Sequence, residues 1–196
     1  MKKEIFRLPD ADIELHNDFF TKDVADKLFQ TLKSDIIWQQ DQIKFFGKIY
    51  DVPRLTALYG DGNKTYKYSG ITMRPHQWTK ELTFIKERIE EVSGISFNTC
   101  LLNYYRGGMD SNDWHQDNEK ELGENPVIAS VSFGETRPFQ LKHVSRKDLK
   151  RTDILLEHGS YLLMKGTTQH FWKHKIPKTK RPIDSRINLT FRIIKN

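Results

Sequence analysis

The stretch Arg186-Ile187-Asn188-Leu189-Thr190-Phe191-Arg192-Ile193 alternates polar and apolar side chains without a break. Alternation with a period of two is typical of a β-strand, in which neighbouring side chains point to opposite faces. One face of this strand would carry Arg, Asn, Thr and Arg, and the other would carry only apolar residues. The stretch therefore predicts a strand of a packed sheet.

The polar face of this strand has two interpretations. It could point to water at a sheet edge, but Ser, Lys and Glu are the usual residues there. Two arginines that flank Asn and Thr instead form a donor-rich surface suited to a small dicarboxylate, because Arg binds a carboxylate with two parallel hydrogen bonds. The alternation alone leaves both interpretations open.

Strand-like segments also occur from residue 97 onward. They are short, rich in β-branched and aromatic residues, and separated by turn residues. The predicted strands are Thr99–Tyr105, Pro126–Phe133, Phe139–Val144, Asp153–Glu157, Tyr161–Lys165, Phe171–Ile176 and Arg186–Ile194. Two amphipathic helices precede them, one from Thr21 to about Ser34 and one from Thr79 to Gly94. Helices followed by many short strands predict a mainly β fold, an antiparallel sandwich or barrel with flanking helices.

Length and composition limit the class of protein. A chain of 196 residues fits one domain with a hydrophobic core, and 37% hydrophobic residues exclude a disordered chain. Cys100 is the only cysteine, which excludes an internal disulfide and predicts a reducing, intracellular compartment. The sequence has no run of about 18 apolar residues, and residues 1–7 lack the apolar core of a signal peptide, so we expect no membrane association.

The net charge of +6 permits a polyanionic partner but does not require one. Residues 36–75 are the most unusual part of the chain, since aromatic, glycine and basic residues alternate in Phe45-Phe46-Gly47-Lys48 and in Tyr66-Lys67-Tyr68-Ser69-Gly70. We interpret this region as short strands and loops that form an exposed aromatic and basic surface, although two hairpins with aromatic cross-strand pairs would give the same pattern. No helical heptads or long apolar stripes are left over, which predicts a monomer.

The stretch Asp113-Trp114-His115-Gln116-Asp117 places a histidine and a carboxylate two residues apart. In an extended chain these side chains project from one face and can bind one ion. A second histidine would complete two histidines and one carboxylate, the ligand set of non-haem Fe(II) oxygenases. The candidates are His143, His158, His170 and His174. Their surroundings suggest that the first two lie at the surface, while the last two share one face of a predicted strand and remain open alternatives, with His174 nearer the strand centre.

Several motifs, in order, resemble the AlkB family of Fe(II)- and 2-oxoglutarate-dependent dioxygenases, and especially the branch that includes the nuclear animal homologues. They are Gly60-Asp61, Tyr68-Ser69-Gly70, Asn103-Tyr104-Tyr105, Trp114-His115-Gln116-Asp117, Ala129–Gly134, His158-Gly159-Ser160, Trp172–Pro177 and Arg186–Arg192. The resemblance runs from about residue 40 to the end. It implies a single domain over residues 1–196, a double-stranded β-helix (jelly roll) over 97–194, and an N-terminal nucleotide-recognition lid over 36–75.

The resemblance also implies roles for individual residues. The metal ligands and catalytic residues would be His115, Asp117 and His174. The 2-oxoglutarate contacts would be Asn103, Tyr105, Arg186, Asn188, Thr190 and Arg192, with Arg186 on the distal carboxylate. The substrate contacts would be Tyr66, Tyr68, Ser69 and Glu119, with Phe46 as a wedge in duplex DNA and Arg54 on phosphate. A buried Phe pair and a solvated arginine are the plain alternatives for the last two.

The activity implied is oxidative demethylation of 1-methyladenine and 3-methylcytosine in DNA, with RNA as a second substrate. Fe(II), 2-oxoglutarate and O2 would take part, and the damaged base would be flipped out of the stack because its methyl group is unreachable there. Such a protein would work in the cytoplasm of a bacterium or the nucleus of a eukaryote. The alternatives are an RNA or protein oxygenase with the same iron centre, or a catalytically inactive nucleic-acid-binding relative.

Overall fold

The computed structural model describes residues 2–45, 47–62, 66–68 and 71–195. The helices are α1 (Lys22–Asp35), α2 (Lys80–Ser93) and the short α3 (Thr168–Phe171), with a 3-10 turn at Lys120–Leu122. The strands are β1 (Lys2–Phe6), β2 (Asp12–Asn17), β3 (Gln42–Phe45), β4 (Lys48–Asp51), β5 (Leu55–Gly60), β6 (Tyr66–Tyr68), β7 (Ile71–Met73), β8 (Thr99–Tyr105), β9 (Asn112–His115), β10 (Ile128–Gly134), β11 (Arg137–His143), β12 (Thr152–Leu156), β13 (Ser160–Lys165), β14 (Trp172–Ile176) and β15 (Arg186–Arg192).

Two antiparallel sheets form the body of the fold. The larger sheet has seven strands in the order β1-β2-β13-β10-β15-β8-β5, and the smaller has four in the order β12-β11-β14-β9. Strand β15 pairs with β10 on one side and β8 on the other, and all seven of its residues are buried. Its polar face therefore does not point to water at a sheet edge, and the edge interpretation of this strand is wrong.

Two apolar layers lie on opposite faces of the larger sheet. On one face, Ile187, Leu189 and Phe191 of β15 belong to a core shared with helices α1 and α2. On the other face, a second core contains Leu101 of β8 and Leu141 of β11 and so fills the space between the sheets. This two-sheet sandwich with helices outside one sheet is the predicted jelly roll with flanking helices, and the fold class is confirmed.

The helices form where their sequences favour them. Leu28 and Leu32 of α1 are buried against the larger sheet, as the helical spacing predicts. The side chain of Thr79 accepts a hydrogen bond from the backbone N–H of Leu82 and caps α2. Gly94 ends α2 with φ of 69°, a left-handed conformation that glycine adopts without strain. None of the helices in the described part of the chain is long and apolar enough to cross a membrane.

The larger sheet also contains strands that the sequence patterns did not predict. Strands β1 and β2 form a hairpin that extends the larger sheet beside β13. Strand β5 pairs with β8, and Thr56–Gly60 within it is buried. The expectation that the whole of 36–75 forms an exposed surface is therefore wrong; the exposed part includes the hairpin β3–β4, while β5 belongs to the core.

Candidate active site

His115, Asp117 and His174 come together although they are far apart in sequence. One ligand atom from each lies within 4.8 Å of the other two. His115 ends β9 and faces His174 across the β9–β14 pairing, with ring centroids 4.2 Å apart. His174 Nε2 lies 3.8 Å from Asp117 Oδ2. Strand pairing thus produces the constellation that sequence spacing could give only in part.

Each histidine has the protonation state that metal binding needs. Burial lowers the pKa of His115 below its ordinary value, and it lowers the pKa of His174 to about 3. Both rings are therefore neutral near pH 7. The backbone carbonyl of Asp113 accepts a hydrogen bond of 2.7 Å from His115 Nδ1, which leaves the lone pair on Nε2.

Asp117 is fully buried but stays ionised. Burial raises the pKa of its carboxyl group, but the positive charge of Arg192 and its hydrogen bond to the carboxylate outweigh that effect and hold the pKa below its usual value. Arg192 Nη2 donates a hydrogen bond of 2.8 Å to Asp117 Oδ1. The backbone N–H of Asp117 donates to Gln169 Oε1 at 2.9 Å, so both the backbone and the side chain of Asp117 are held by hydrogen bonds.

The polar face of β15 lines a cleft next to this triad. Arg186 and Asn188 lie opposite Tyr105 and Asn103 of β8, so all four side chains share the inner face of the sheet. The cleft encloses about 470 Å³ including its open side. All predicted 2-oxoglutarate contacts and all three predicted metal ligands line it: Asn103, Tyr105, His115, Asp117, His174, Arg186, Asn188, Thr190 and Arg192.

Arg186 is the residue of this cleft that most clearly calls for an anionic ligand. Its guanidinium group is buried, and its Nη2 donates to Ser132 Oγ at 2.9 Å. Its Nε and Nη1 have no hydrogen-bond partner among the described residues. Burial lowers the pKa of Arg186 to about 10, which leaves it charged at neutral pH. A buried cation with unused donors is destabilising unless a ligand supplies acceptors.

A second cleft opens beside the first and shares His115 and Asn112 with it. The hairpin β3–β4 and the segment before β5 form its other wall, through Ile43, Val52 and Arg54. Arg54 is only 4% exposed, so it is not the solvated arginine of the plain alternative, and its predicted phosphate contact stays a prediction. Its Nε donates a hydrogen bond of 2.6 Å to Asn103 Oδ1, which fixes it between the two clefts.

The other histidines lie away from the triad. His170 belongs to helix α3 rather than a strand, so it shares no strand face with His174, and its Nε2 lies 3.0 Å from Asn125 Oδ1. His143 was expected at the surface, but its side chain is 2% exposed and stacks on Phe171. His158 Nδ1 accepts the backbone N–H of Gly134 and is half-buried.

The predicted substrate contacts are less fully described. Phe46 and Ser69 lie outside the described residues, and of Tyr66 and Tyr68 only the backbone is described, in the hairpin β6–β7. Glu119 is half-buried directly before the 3-10 turn and belongs to the lining of neither described cleft. These substrate roles stay predictions from the sequence.

Trp114 projects from the outer side of β9. Lys142 Nζ lies 4.3 Å and Lys175 Nζ 4.8 Å from the centre of its ring. These cation–π contacts join β9 to its neighbour β14 and to β11, the strand beyond β14 in the smaller sheet. Trp114 therefore helps to hold the edge strand that carries His115.

Comparison with known proteins agrees with this geometry. Residues 12–192 match the 2OG-Fe(II) oxygenase superfamily. The sequence is 43% identical over 178 residues to alpha-ketoglutarate-dependent dioxygenase alkB homolog 3 of Bos taurus, covering 87% of this chain and 62% of that protein. It is 39% identical over 184 residues to DNA oxidative demethylase ALKBH2 of Mus musculus, covering 89% of this chain and 77% of that protein.

The chain belongs to the AlkB family. It spans less than two thirds of the length of the cattle relative. A solved structure titled "The structure of OsALKBH1" aligns with a TM-score of 0.65 at 17% identity, and the alignment covers 97% of this chain and 100% of that chain. At this identity the structural similarity shows a shared fold.

Membership of the AlkB family implies Fe(II), 2-oxoglutarate and O2, and the residues present fit them. Two neutral histidines and an ionised carboxylate on converging strands match the facial set that suits ferrous iron with open positions. The unused Nε and Nη1 donors of Arg186 match the carboxylate end of 2-oxoglutarate. The predicted cofactors of this AlkB-family protein are thus consistent with its own side chains.

Two side chains that support the site of this AlkB-family protein were not predicted from its sequence. Gln169 holds the backbone of Asp117, and Arg137 donates hydrogen bonds to backbone carbonyls beside Tyr105. Neither lies in a spacing pattern with the ligands, because their contacts cross between strands and loops. The alternation of side chains along β11 could have indicated that Arg137 points inward, since it lies on the same strand face as the apolar Phe139 and Leu141.

Proposed function

We propose that this protein removes methyl groups oxidatively from N-alkylated bases in DNA, with 2-oxoglutarate as cosubstrate. The observation that carries this proposal is the His115, Asp117 and His174 triad at the end of a cleft lined by inward-facing arginines. The similar proteins support the substrate, since one is a DNA oxidative demethylase 39% identical to this chain.

The bound iron would couple O2 reduction to oxidation of both 2-oxoglutarate and the substrate, giving succinate, CO2 and a hydroxylated N-methyl group. The N-hydroxymethyl product then breaks its N–C bond and yields formaldehyde and the unmodified base. The chain's own residues bind and orient the reactants. Arg186 would donate hydrogen bonds to the distal carboxylate, and Arg192 keeps Asp117 ionised and oriented.

The second cleft supports a base-binding role because it meets the first cleft at His115. A base flipped out of the stack would enter between the hairpin β3–β4 and β9, so that its methyl group points at the triad. Arg54 would then connect the two clefts, since it lines the second cleft and its Nε donates a hydrogen bond to Asn103 in the first. Methylated adenine and cytosine bases are cationic, so aromatic side chains of the lid, Tyr66 and Tyr68, would favour them.

The first test incubates the purified protein with Fe(II), 2-oxoglutarate, O2 and an oligonucleotide that contains 1-methyladenine. We expect formaldehyde and succinate in equal amounts, with matching loss of the methylated base by mass spectrometry. His115→Ala and Asp117→Ala should abolish turnover because each removes one ligand of the triad. His170→Ala is the matched control, since His170 lies in α3 away from the triad, and it should keep wild-type activity.

The same assay separates the alternatives. Methylated single-stranded DNA, duplex DNA and RNA are run in parallel to give the nucleic acid preference. Consumption of 2-oxoglutarate without loss of methyl groups from all three would mean that the iron centre is right and the substrate class is wrong. Unchanged activity in either triad variant would overturn the mechanism, and no consumption of 2-oxoglutarate would favour an inactive nucleic-acid-binding relative.

We further propose a monomer that works inside the cell.

A further inference from the structure

Arg137 begins β11 and points into the space between the two sheets. It is 2% exposed, and Phe139 and Leu141 on the same strand face belong to the core there. A guanidinium group in such a place is destabilising unless its N–H donors are used. Among the described residues its hydrogen bonds end on the backbone carbonyl groups of Gly107, Asp110 and Pro177. Its positive charge is therefore solvated by backbone dipoles and is not paired with a hydrogen-bonded carboxylate.

These three carbonyl groups belong to two different loops. Gly107 and Asp110 lie in the loop 106–111 that follows β8, and Pro177 begins the segment 177–185 that leads into β15. The loops also contact each other, since the backbone N–H of Thr179 donates to the carbonyl of Gly108 at 2.8 Å. Arg137 thus joins the loop at the end of β8 to the beginning of the segment that runs from β14 to β15.

The end of β8 and the start of β15 carry the carboxylate end of the cleft. Tyr105 is the last residue of β8, and Arg186 is the first of β15 and its partner across the sheet. The centre of the Tyr105 ring lies 5.8 Å from the guanidinium carbon of Arg137 and 5.3 Å from that of Arg186. An anion bound at Arg186 would therefore lie near two cations, only one of which it touches.

The pKa values agree that the two cations interact. Burial is the main reason why the pKa of Arg186 falls to about 10, and repulsion from Arg137 is a smaller cause. An anionic ligand would offset the repulsion between the two arginines, because its negative charge attracts both guanidinium groups in a site with little water.

We propose that Arg137 is a positioning residue for the carboxylate end of the 2-oxoglutarate site. It holds Tyr105 and Arg186 in their relative places through loop 106–111 and segment 177–185, and it adds a second positive charge behind them. This inference rests on the proposed function only in that the cleft must bind 2-oxoglutarate.

The test is a thermodynamic cycle with two ligands, measured by calorimetry with Mn(II) in place of Fe(II) so that no turnover occurs. The ligands are 2-oxoglutarate and 2-oxopentanoate, which has the same carbon chain and oxo-acid end but no distal carboxylate. Weak binding of 2-oxopentanoate is measured by competition. We expect Arg137→Met to weaken 2-oxoglutarate binding about tenfold, a coupling usual for neighbours in one network, and to leave 2-oxopentanoate binding unchanged. A residue that only supported the fold would weaken both ligands equally, and that result would overturn the proposal.

Arg151→Met is the matched control, because Arg151 precedes the neighbouring strand β12 and its side chain is 56% exposed. It should leave both affinities unchanged. If Arg137→Met fails to fold by circular dichroism, Arg137→Lys goes through the same cycle. Lysine keeps the charge but lacks the planar fork that reaches three carbonyl groups, so partial loss is expected for 2-oxoglutarate alone. Wild-type affinity for 2-oxoglutarate in that variant would overturn the positioning role.

The same data separate this inference from the proposed function. Failure of the wild-type protein with Mn(II) to bind 2-oxoglutarate would contradict the proposed function itself. Wild-type binding together with unchanged binding in Arg137→Met would remove only the role of Arg137.

Discussion

At the scale of single residues, the predicted metal ligand Asp117 depends on a side chain outside the predicted ligand set. Gln169 is fully buried, and its Oε1 accepts the backbone N–H of Asp117. Gln116 reaches back and donates from Nε2 to the carbonyl of Gln169 at 2.7 Å. The turn that carries Asp117 is thus fixed against α3, and groups that orient a metal ligand in this way affect metal affinity strongly.

We expect Gln169→Leu to weaken Mn(II) or Fe(II) binding by about 10- to 100-fold. The substitution leaves the buried N–H of Asp117 without an acceptor, so it should also lower the free energy of unfolding by about 1–3 kcal/mol. Anaerobic metal titration and thermal unfolding measure the two effects. Gln140→Leu is the control, since Gln140 is also buried but bonds to Asp153 away from the cleft. Unchanged metal affinity in Gln169→Leu would show that Asp117 is held by Arg192 alone.

At the scale of secondary structure elements, a charged cluster fastens the N-terminal hairpin to the larger sheet. Glu14 of β2 lies 2.6 Å from Lys3 of β1 and 3.0 Å from Lys165 of β13. The hydrogen bond from Lys3 is the largest cause that lowers the pKa of Glu14, to about 2, with Lys165 also contributing. The cluster crosses three neighbouring strands, so it acts on sheet pairing rather than on the active site.

Glu14→Gln should therefore lower the free energy of unfolding in a pH-dependent way. The folded-state pKa is depressed from 4.5 to about 2, so the stabilisation is fully present above the unfolded-state value and is lost as the pH falls through the folded-state value. We expect a difference from wild type of about 1 kcal/mol at pH 7, since Lys3 is partly exposed, and a shrinking difference below pH 4.5. Urea unfolding across this range measures it, with the exposed Glu4→Gln as control. A constant difference at all pH values would contradict the ion-pair explanation.

At the scale of the whole molecule, loop 106–111 and segment 177–185 close one end of the two-sheet body. Their contact is close enough to exclude a side chain at Gly108, because a Cβ there would lie 2.5 Å from the carbonyl oxygen of Thr179. At the neighbouring Gly107, the nearest atom would be the carbonyl oxygen of Ile183 at an ordinary 3.7 Å. The two glycines therefore differ in what the tertiary structure demands of them.

We expect Gly108→Ala to lower the free energy of unfolding by about 1–3 kcal/mol, because backbone has to shift to relieve the contact. Since the shifted segment leads into Arg186, 2-oxoglutarate binding should weaken as well. Gly107→Ala should change stability by less than about 0.5 kcal/mol. Thermal unfolding and calorimetry on both variants give the comparison, and equal effects of the two substitutions would contradict a close contact specific to Gly108.

Much of the fold could be predicted because strand and helix periodicity is local. The seven predicted strands between residues 99 and 194 all appear, with boundaries shifted by a few residues, and both predicted amphipathic helices are present. Strands β1, β2 and β5 were not predicted. Strands β2 and β5 belong to the larger sheet through pairing with β13 and β8, which no local pattern encodes.

The sequence by itself determined the alternation of Arg186–Arg192 and the two-residue spacing of His115 and Asp117, because strand geometry sends such side chains to one face. Spacing did not decide between His170 and His174, and it gave no reason to expect Arg54, Arg137 or Gln169 beside the clefts. Only the tertiary structure decided these, by placing β15 inside the sheet, His174 opposite His115, and the loops under Arg137. The physical reason is that periodicity fixes which way a side chain points, whereas strand order and loop packing fix what it meets.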